Sequence, residues 1–88
     1  MNWCCYILRC ADGTLYTGIS NDLERRLAAH NTGTASKYTR ARLPVTLLYS
    51  ERHSDRSGAS RREAQLKRLP RKAKLDLVSR LRRKRKIK

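Results

Sequence analysis

The chain has 88 residues, 39% hydrophobic and 33% charged, and its 22 lysines and arginines against 7 acidic residues give a net charge of +15. A chain of this length forms one small domain with a modest core. A positive charge of this size exceeds what solubility requires, so it indicates a polyanionic partner, with nucleic acid first and an anionic membrane surface second.

The positive charge is concentrated at the C-terminal end. Residues 61–88 carry 14 lysines and arginines and only two acidic residues, and seven of the nine residues in 80–88 are basic. We therefore predict a domain over residues 1–79 and a basic tail over 80–88 that is frayed or disordered. Its side chains would contact phosphates without reading sequence. The tail residues that we assign to nucleic-acid binding are Arg82, Arg83, Lys84 and Arg85. A solvated tail with no partner is the simpler alternative.

The cysteines indicate a reducing compartment. Cys4, Cys5 and Cys10 are close together near the N-terminus, and an odd number without a distant partner argues against a disulfide framework. Their spacing does not suggest a zinc site, so we expect free thiols packed as small apolar side chains. The sequence shows no signal peptide and no apolar run of membrane length, and we expect a cytoplasmic protein.

The first structural elements predicted are two strands that form a hairpin. The runs "WCCYILRC" (3–10) and "LYTGIS" (15–20) are rich in strand-forming residues, and "ADGT" (11–14) contains an Asp-Gly turn signal. A two-residue turn would place Tyr6 and Tyr16 on opposite faces. A three-residue loop with Gly13 in the left-handed region would pair Tyr6 with Gly18 and put both tyrosines on one face. Both loops agree with the sequence, and we adopt the second provisionally.

A helix follows the hairpin directly. Asn21 can cap it, Glu24 can close a capping box, and "NTG" (31–33) ends it. Leu23 and Leu27 mark the buried stripe. Arg26 and His30 each lie three residues after one of these leucines, so both flank the stripe and point toward the surface on which the helix packs.

The rest of the chain predicts one more strand and two more helices. Residues 34–44 resemble a basic loop, 45–51 a strand and 52–58 a turn; helices are predicted at about 59–69 and 71–82, with Pro70 between them. Glu63 lies on the inner face of the first of these helices, between Ala59 and Leu66. The order ββα–β–αα predicts an α+β fold with a small three-stranded antiparallel sheet flanked by helices.

These segments together resemble the GIY-YIG nuclease superfamily over roughly residues 3–78. Tyr6 and "YTG" (16–18) match its two signatures, "DLERRLAAHN" (22–31) its arginine- and histidine-bearing helix, and "SRREAQLKRL" (60–69) its glutamate-bearing helix. "CADGTLYTGIS" and "KYTRARLPVTLLY" are most similar to small single-domain bacterial members and to the nuclease domain of structure-specific endonucleases.

The resemblance implies a GIY-YIG-type endonuclease that hydrolyses DNA phosphodiester bonds with Mg²⁺ or Mn²⁺. It implies catalytic roles for Tyr6, Tyr16, Arg26 and His30, with a tyrosine as base, and metal binding by Glu63. The forked, permanently charged Arg26 suits two phosphate oxygens. Which tyrosine is the base stays open, and His30 would accept a proton or orient Tyr6. We also assign nucleic-acid contacts to Lys37, Tyr38, Arg40 and Lys67.

We expect selectivity for the shape of branched or damaged DNA, as in DNA repair, or selectivity supplied by a protein partner. RNA is a possible substrate. The alternative function is a catalytically weak or inactive module that binds DNA or structured RNA, because Cys4-Cys5 replaces Gly-Ile in the first signature. Each site residue also has an ordinary structural explanation; Arg26 could pair with Asp22 and Glu63 with Lys67 at i, i+4 spacing.

Overall fold

The structure, a computed structural model, describes residues 2–86, and it describes side chains from Asn2 to Arg80. Three strands and four helices form an α+β domain, as the sequence predicts. In chain order they are β1 (Trp3–Arg9), β2 (Leu15–Ser20), α1 (Leu23–Asn31), α2 (Lys37–Arg40), β3 (Thr46–His53), α3 (Arg56–Arg68) and α4 (Arg71–Lys86). No helix within residues 2–86 has the length and apolar character to cross a membrane.

The sheet is antiparallel, with the strand order β2-β1-β3. The three-residue hairpin loop is confirmed, because the Cys10 amide donates to the Thr14 carbonyl at 2.9 Å and Gly13 has a φ of +84°. Tyr6 therefore lies opposite Gly18, and Leu8 lies opposite Tyr16. Since side chains alternate along a strand, this register puts both tyrosines on one face of the sheet, as predicted.

Helices cover both faces of the sheet. On one face, buried Tyr6, Leu8 and Cys10 pack with Leu23 and Leu27 of α1. On the other face, Cys5 and Ile7 pack with Leu66 of α3 and Leu77 of α4. The central strand β1 is thus buried from both sides, which explains its continuous apolar sequence. The three cysteines are free, as predicted.

The predictions of several element boundaries were wrong. Asp22, not Asn21, caps α1, and its side chain accepts from the Arg25 amide at 3.2 Å. The predicted loop 34–44 contains α2, which Ser36 caps. The third strand starts one residue later than predicted and runs through His53, and α3 starts three residues earlier because Asp55 caps it.

The last helix is longer than the sequence suggested. Residues 80–86 continue α4, and the lysines and arginines there are good helix formers, which explains why the helix passes its predicted end near residue 82. Whether residues 80–88 act separately from 1–79 stays a prediction. Ile87 and Lys88 lie outside the described residues.

Gly18 makes room for the tyrosine pair. A Cβ at this position would lie 2.6 Å from the Tyr6 hydroxyl oxygen and 3.2 Å from Cε2 of Tyr16. We expect Gly18→Ala to displace the Tyr6 ring and to lower the free energy of unfolding by about 1–3 kcal/mol, measured by urea denaturation. Gly58→Ala is the control. An added Cβ there meets nothing closer than 3.3 Å and favours the helix, so an equal loss in the control would contradict this explanation.

Candidate active site

Tyr6, Tyr16 and His30 form an aromatic cluster between β1, β2 and α1. Tyr6 is only 1% exposed, and its hydroxyl lies 3.0 Å from Nε2 of His30. The Tyr16 ring is partly exposed and meets the His30 ring edge-on, with the two centroids 5.1 Å apart. Arg26 lies close enough to influence the pKa values of Tyr6 and His30, so the fold brings together four of the five residues to which we assigned catalysis or metal binding.

Thr39 determines how His30 holds its proton. The Thr39 hydroxyl lies 3.4 Å from the carbonyl of Ser36 and 2.8 Å from Nδ1 of His30. We infer that it gives its one proton to the carbonyl and accepts from Nδ1. Nδ1 then carries the imidazole proton, and Nε2 is left as the acceptor for the Tyr6 hydroxyl. The result is a buried chain in which Tyr6 donates to His30 and His30 donates to Thr39.

All members of this chain are neutral near pH 7. Burial, and to a lesser degree the charge of Arg26, lower the pKa of His30 below its usual value. Burial raises the pKa of Tyr6 to about 12, an effect that the nearby Arg26 partly offsets. A phenol with this pKa is ionised in roughly one molecule in 10⁵ at pH 7, so Tyr6 is a poor base as it stands.

The tautomer of His30 can be observed directly. We expect ¹⁵N NMR of the wild type to show the proton on Nδ1, and Thr39→Val to shift the population toward Nε2–H. Valine keeps the shape of threonine but leaves a buried N–H without an acceptor, at a cost of about 1–3 kcal/mol. Thr39→Ser keeps a hydroxyl and should restore the wild-type spectrum. An Nε2–H tautomer in the wild type would contradict the assignment.

Arg26 has an unused hydrogen-bond donor in the site. Its Nε is buried, and the described residues provide it with no hydrogen-bond partner. Asp22 is used as the helix cap, and no ion pair joins it to Arg26 within the described structure. The side chain lines an open cleft of about 260 Å³, the Arg26 cleft, together with Ser20, Asn21, Asp22, Arg25 and Ala29. A buried donor without a partner costs free energy, and an anion in this cleft would recover that cost once the Arg26 side chain turns its Nε toward the cleft.

Glu63 lies apart from the aromatic cluster. It is on α3, which packs on the opposite face of the sheet, and its half-buried carboxylate lies 3.5 Å from Nζ of Lys67. Its charge reaches Cys5, whose pKa is raised to about 12 by burial first and by Glu51 and Glu63 next. The contacts recorded for residues 2–80 do not join Glu63 to Tyr6, Tyr16, Arg26 or His30. The structural alternative, an i, i+4 pair with Lys67, is thus present.

The candidate site offers a divalent cation one carboxylate ligand, that of Glu63. Within the described residues, no group of three or more His, Cys, Asp or Glu side chains could enclose a metal ion. Mg²⁺, however, keeps several waters and is commonly bound by one or two carboxylates plus substrate phosphates. Glu63 can supply one such oxygen ligand, provided that Lys67 gives way.

The residues assigned to nucleic-acid binding lie in several places. Lys37 and Arg40 are exposed on α2, and Lys67 is exposed but paired with Glu63. Tyr38 is 39% exposed, and its ring centroid lies 6.0 Å from that of Tyr16, so it extends the aromatic cluster toward the surface. The side chains of Arg82, Arg83, Lys84 and Arg85 lie outside the described part of the chain.

Sequence reasoning missed two residues, Thr39 and Arg42. The Arg42 guanidinium lies 4.0 Å from the Tyr38 ring centroid, donates to the Tyr38 carbonyl at 2.9 Å and pairs with Asp12 at 3.0 Å. Its own carbonyl accepts from the Ala11 amide at 2.9 Å. Arg42 thus ties α2, and with it Thr39, to the hairpin loop. Arg42 lies past the end of α2, so helical spacing gives no signal for this contact.

Comparison with known proteins agrees with this fold. The family model described as "GIY-YIG catalytic domain" matches residues 2–76. The chain therefore belongs to the GIY-YIG family, a family of nucleases.

Within that family it is similar to proteins that carry the name UPF0213. The UPF0213 protein of Streptococcus agalactiae serotype V is 56% identical over 73 residues, which are 83% of each chain. That of Halobacterium salinarum is 49% identical over 69 residues, 78% of this chain and 90% of the relative. The solution NMR structure of the Bacillus halodurans UPF0213 protein has a TM-score of 0.58 at 42% identity and covers 90% of this chain and 84% of that one. A second solution NMR structure, of an E. faecalis protein, has a TM-score of 0.60 at 36% identity, with 90% and 85% covered.

Proposed function

We propose that the protein is a metal-dependent endonuclease that hydrolyses DNA phosphodiester bonds and selects substrates by shape rather than by sequence. The observation that carries this proposal is the Arg26 side chain, which lines an open cleft beside the cluster of Tyr6, Tyr16 and His30 and whose buried Nε has no hydrogen-bond partner among the described residues. The guanidinium of Arg26 is permanently charged and has a free donor. It therefore suits a phosphoryl group whose negative charge grows during hydrolysis.

The two tyrosines take different roles. Tyr16 is partly exposed, so its phenol is the one that a nucleophilic water beside a bound phosphate can reach. Tyr6 is buried and donates to His30, and its raised pKa makes it a poor proton acceptor. We therefore assign proton transfer to Tyr16. The Tyr16 ring packs on the His30 ring, which Tyr6 and Thr39 hold in place through hydrogen bonds. None of these three supporting side chains is charged.

The remaining charge is balanced by Arg26 and Glu63. Arg26 would bind two phosphate oxygens. Glu63 would hold a Mg²⁺ or Mn²⁺ ion, which when bound would supply positive charge for the phosphate and the leaving alkoxide. Because Glu63 lies on the α3 face, this role requires the substrate to reach around the edge of the sheet from the Arg26 cleft. Shape selectivity is supported by the many basic residues that follow residue 76, since contacts of lysine and arginine with phosphates do not read bases. A partner protein would add further selectivity, and DNA is proposed ahead of RNA.

The test is nicking of supercoiled plasmid with Mg²⁺ and with EDTA. We expect EDTA to abolish cleavage and Glu63→Gln to reduce it by about 10²-fold or more, because glutamine keeps the shape but loses the charge that holds a cation. Glu24→Gln, on the exposed side of α1, should cut like the wild type. Equal cutting by wild type and Glu63→Gln would refute the metal role, and equal cutting in EDTA would refute metal dependence.

The ion pair between Glu63 and Lys67 favours a second candidate, a module that binds nucleic acid and cuts it weakly or not at all. A carboxylate already neutralised by lysine has less charge to offer a cation. This candidate predicts salt-dependent binding to DNA or structured RNA, with no cleavage of either in Mg²⁺ or Mn²⁺. It also predicts that Lys67→Ala, which frees the carboxylate, raises cleavage.

A further inference from the structure

Tyr38 and Arg42 form a chain of contacts that ends on the Tyr16 ring. The Tyr38 ring lies beside the Tyr16 ring, with the two centroids 6.0 Å apart and the planes inclined by 31°. The guanidinium carbon of Arg42 lies 4.0 Å from the centroid of the Tyr38 ring, and Arg42 also donates to the Tyr38 carbonyl at 2.9 Å. One side chain thus holds both the ring and the backbone of Tyr38.

Arg42 is in turn fixed to the hairpin that carries Tyr16. Its Nε donates to the Asp12 carboxylate at 3.0 Å, and its carbonyl accepts from the Ala11 amide at 2.9 Å. Both of these residues belong to the loop that leads from β1 into β2, and Tyr16 lies on β2. The contacts therefore close a circuit, which runs from β2 through the loop, Arg42 and Tyr38 back to Tyr16.

The two rings beside Tyr16 differ in burial. His30 is 0% exposed, whereas Tyr38 is 39% exposed and stands on the solvent side. The Tyr16 hydroxyl has no hydrogen-bond partner among the described residues, so packing orients its phenol. A tyrosine on a strand has two common χ1 rotamers, and a partly exposed ring can exchange between them. Tyr38 therefore limits the movement of the Tyr16 ring out of the cluster.

We propose that Tyr38 is a positioning residue that holds the Tyr16 phenol in the orientation needed for proton transfer, and that Arg42 fixes Tyr38 for this purpose. The inference rests on the proposed function and adds two residues to its site. It gives Tyr38 a role different from the nucleic-acid contact that the sequence predicts. The two roles have different consequences, because a positioning residue changes the cleavage rate of bound DNA and a contact residue changes the affinity.

The first measurement uses the whole chain without DNA. The NMR couplings between the Hα and Hβ atoms of Tyr16 report whether its χ1 angle is fixed or averaged over rotamers. We expect one rotamer in the wild type and in Tyr38→Phe, which keeps the ring, and averaged couplings in Tyr38→Ala. A Tyr16 side chain that is averaged in the wild type, or that stays fixed in Tyr38→Ala, would overturn the proposal.

Arg42→Met tests the same chain of contacts with the Tyr38 ring still present. Methionine keeps an unbranched apolar side chain and the backbone hydrogen bond to the hairpin loop. It loses the charge over the Tyr38 ring and the donors to the Tyr38 carbonyl and to Asp12. We expect averaged Tyr16 couplings in this variant. Couplings as in the wild type would show that Arg42 does not fix Tyr38 for this purpose and would contradict that part of the proposal.

The position of α2 is checked in the same samples. Thr39 of α2 lies 2.8 Å from Nδ1 of His30, so the ring ¹⁵N signals of His30 report on this helix. They should match the wild type in both variants. Changed signals in Tyr38→Ala would mean that α2 has moved, and Arg42→Met, which leaves the side chains of α2 intact, then decides the question alone.

Single-turnover cleavage separates positioning from a DNA contact. We expect Tyr38→Ala to cut bound DNA about 10–10²-fold more slowly, in the range caused by a small misplacement of a reacting group, with its affinity for DNA in EDTA unchanged. Tyr38→Phe is the matched control and should cut like the wild type. A loss of affinity at an unchanged rate of cleavage would make Tyr38 a DNA contact and overturn the proposal.

Positioning and cleavage fail separately. A wild type that nicks plasmid DNA and a Tyr16 side chain that stays fixed without Tyr38 would overturn the positioning role and leave the nuclease assignment intact. A Tyr16 side chain that depends on Tyr38 in a protein that never cuts would support the structural link and count against the nuclease. In that case the link serves no proton transfer, and the proposed purpose is wrong together with the proposed function.

Discussion

Tyr16→Phe is expected to lower the rate of DNA cleavage by about 10²–10⁴-fold, the usual contribution of a positioned acid or base. The Tyr16 hydroxyl has no hydrogen-bond partner among the described residues, and the ring that packs on His30 and Tyr38 is kept. The free energy of unfolding should therefore change by no more than about 0.5 kcal/mol. Initial cleavage rates and urea denaturation measure the two quantities on the same samples.

Tyr6→Phe is the matched control, because the substitution is chemically identical and the ring lies on the same face. Here the lost hydroxyl leaves Nε2 of His30 buried without a donor, and we expect a loss of about 1–3 kcal/mol in the free energy of unfolding. The loss in cleavage rate, measured where the variant is folded, should be smaller than for Tyr16→Phe. The opposite order of the two rates would assign proton transfer to Tyr6 and contradict the proposed roles.

Arg26→Ala is expected to reduce cleavage by about 10²–10³-fold, which is the usual cost of removing one preorganised donor from a developing oxyanion. The free energy of unfolding of Arg26→Ala should be unchanged or slightly higher than that of the wild type, because the variant no longer buries an unsatisfied donor. The comparison requires single-turnover cleavage rates at saturating protein, so that weaker DNA binding does not enter the result.

Arg61→Ala is its control. It removes the same charge from an exposed position on α3 and should change cleavage only through the salt dependence of DNA binding. If the single-turnover rates of the two variants fall equally, the effect of Arg26 is one of general charge, and its assignment to the phosphate fails.

The sequence reduced the arrangement of the tyrosine pair to two hairpin registers, and the structure confirms the one that we adopted. The Asp-Gly signal and the length of the loop led to the register in which Tyr6 faces Gly18, and strand periodicity then put both phenols on one face. The positions of Arg26 and His30 beside the Leu23–Leu27 stripe likewise followed from helical spacing. These are local features, and local rules are enough to predict them.

Thr39 and α2 could not be predicted in this way. Residues 34–44 have no apolar periodicity, and a helix of four residues has little stability of its own. Arg42, which follows α2, contacts Tyr38 within the same segment and pairs with Asp12, 30 positions earlier in the chain. Helical periodicity placed Glu63 on the inner face of α3. Whether its carboxylate pairs with a lysine or with a cation depends on the distances between side chains, which periodicity does not give.

The antiparallel pairing of β1 and β2 also limits how the gene can tolerate insertions. Adding one residue between Cys10 and Thr14 would either bulge the strand or shift its pairing, and a shift by one position would carry Tyr16 to the side occupied by α3. The length of the loop between Cys10 and Thr14 is therefore constrained by the same chemistry that requires tyrosine at positions 6 and 16. Variation there is expected to change residues rather than length.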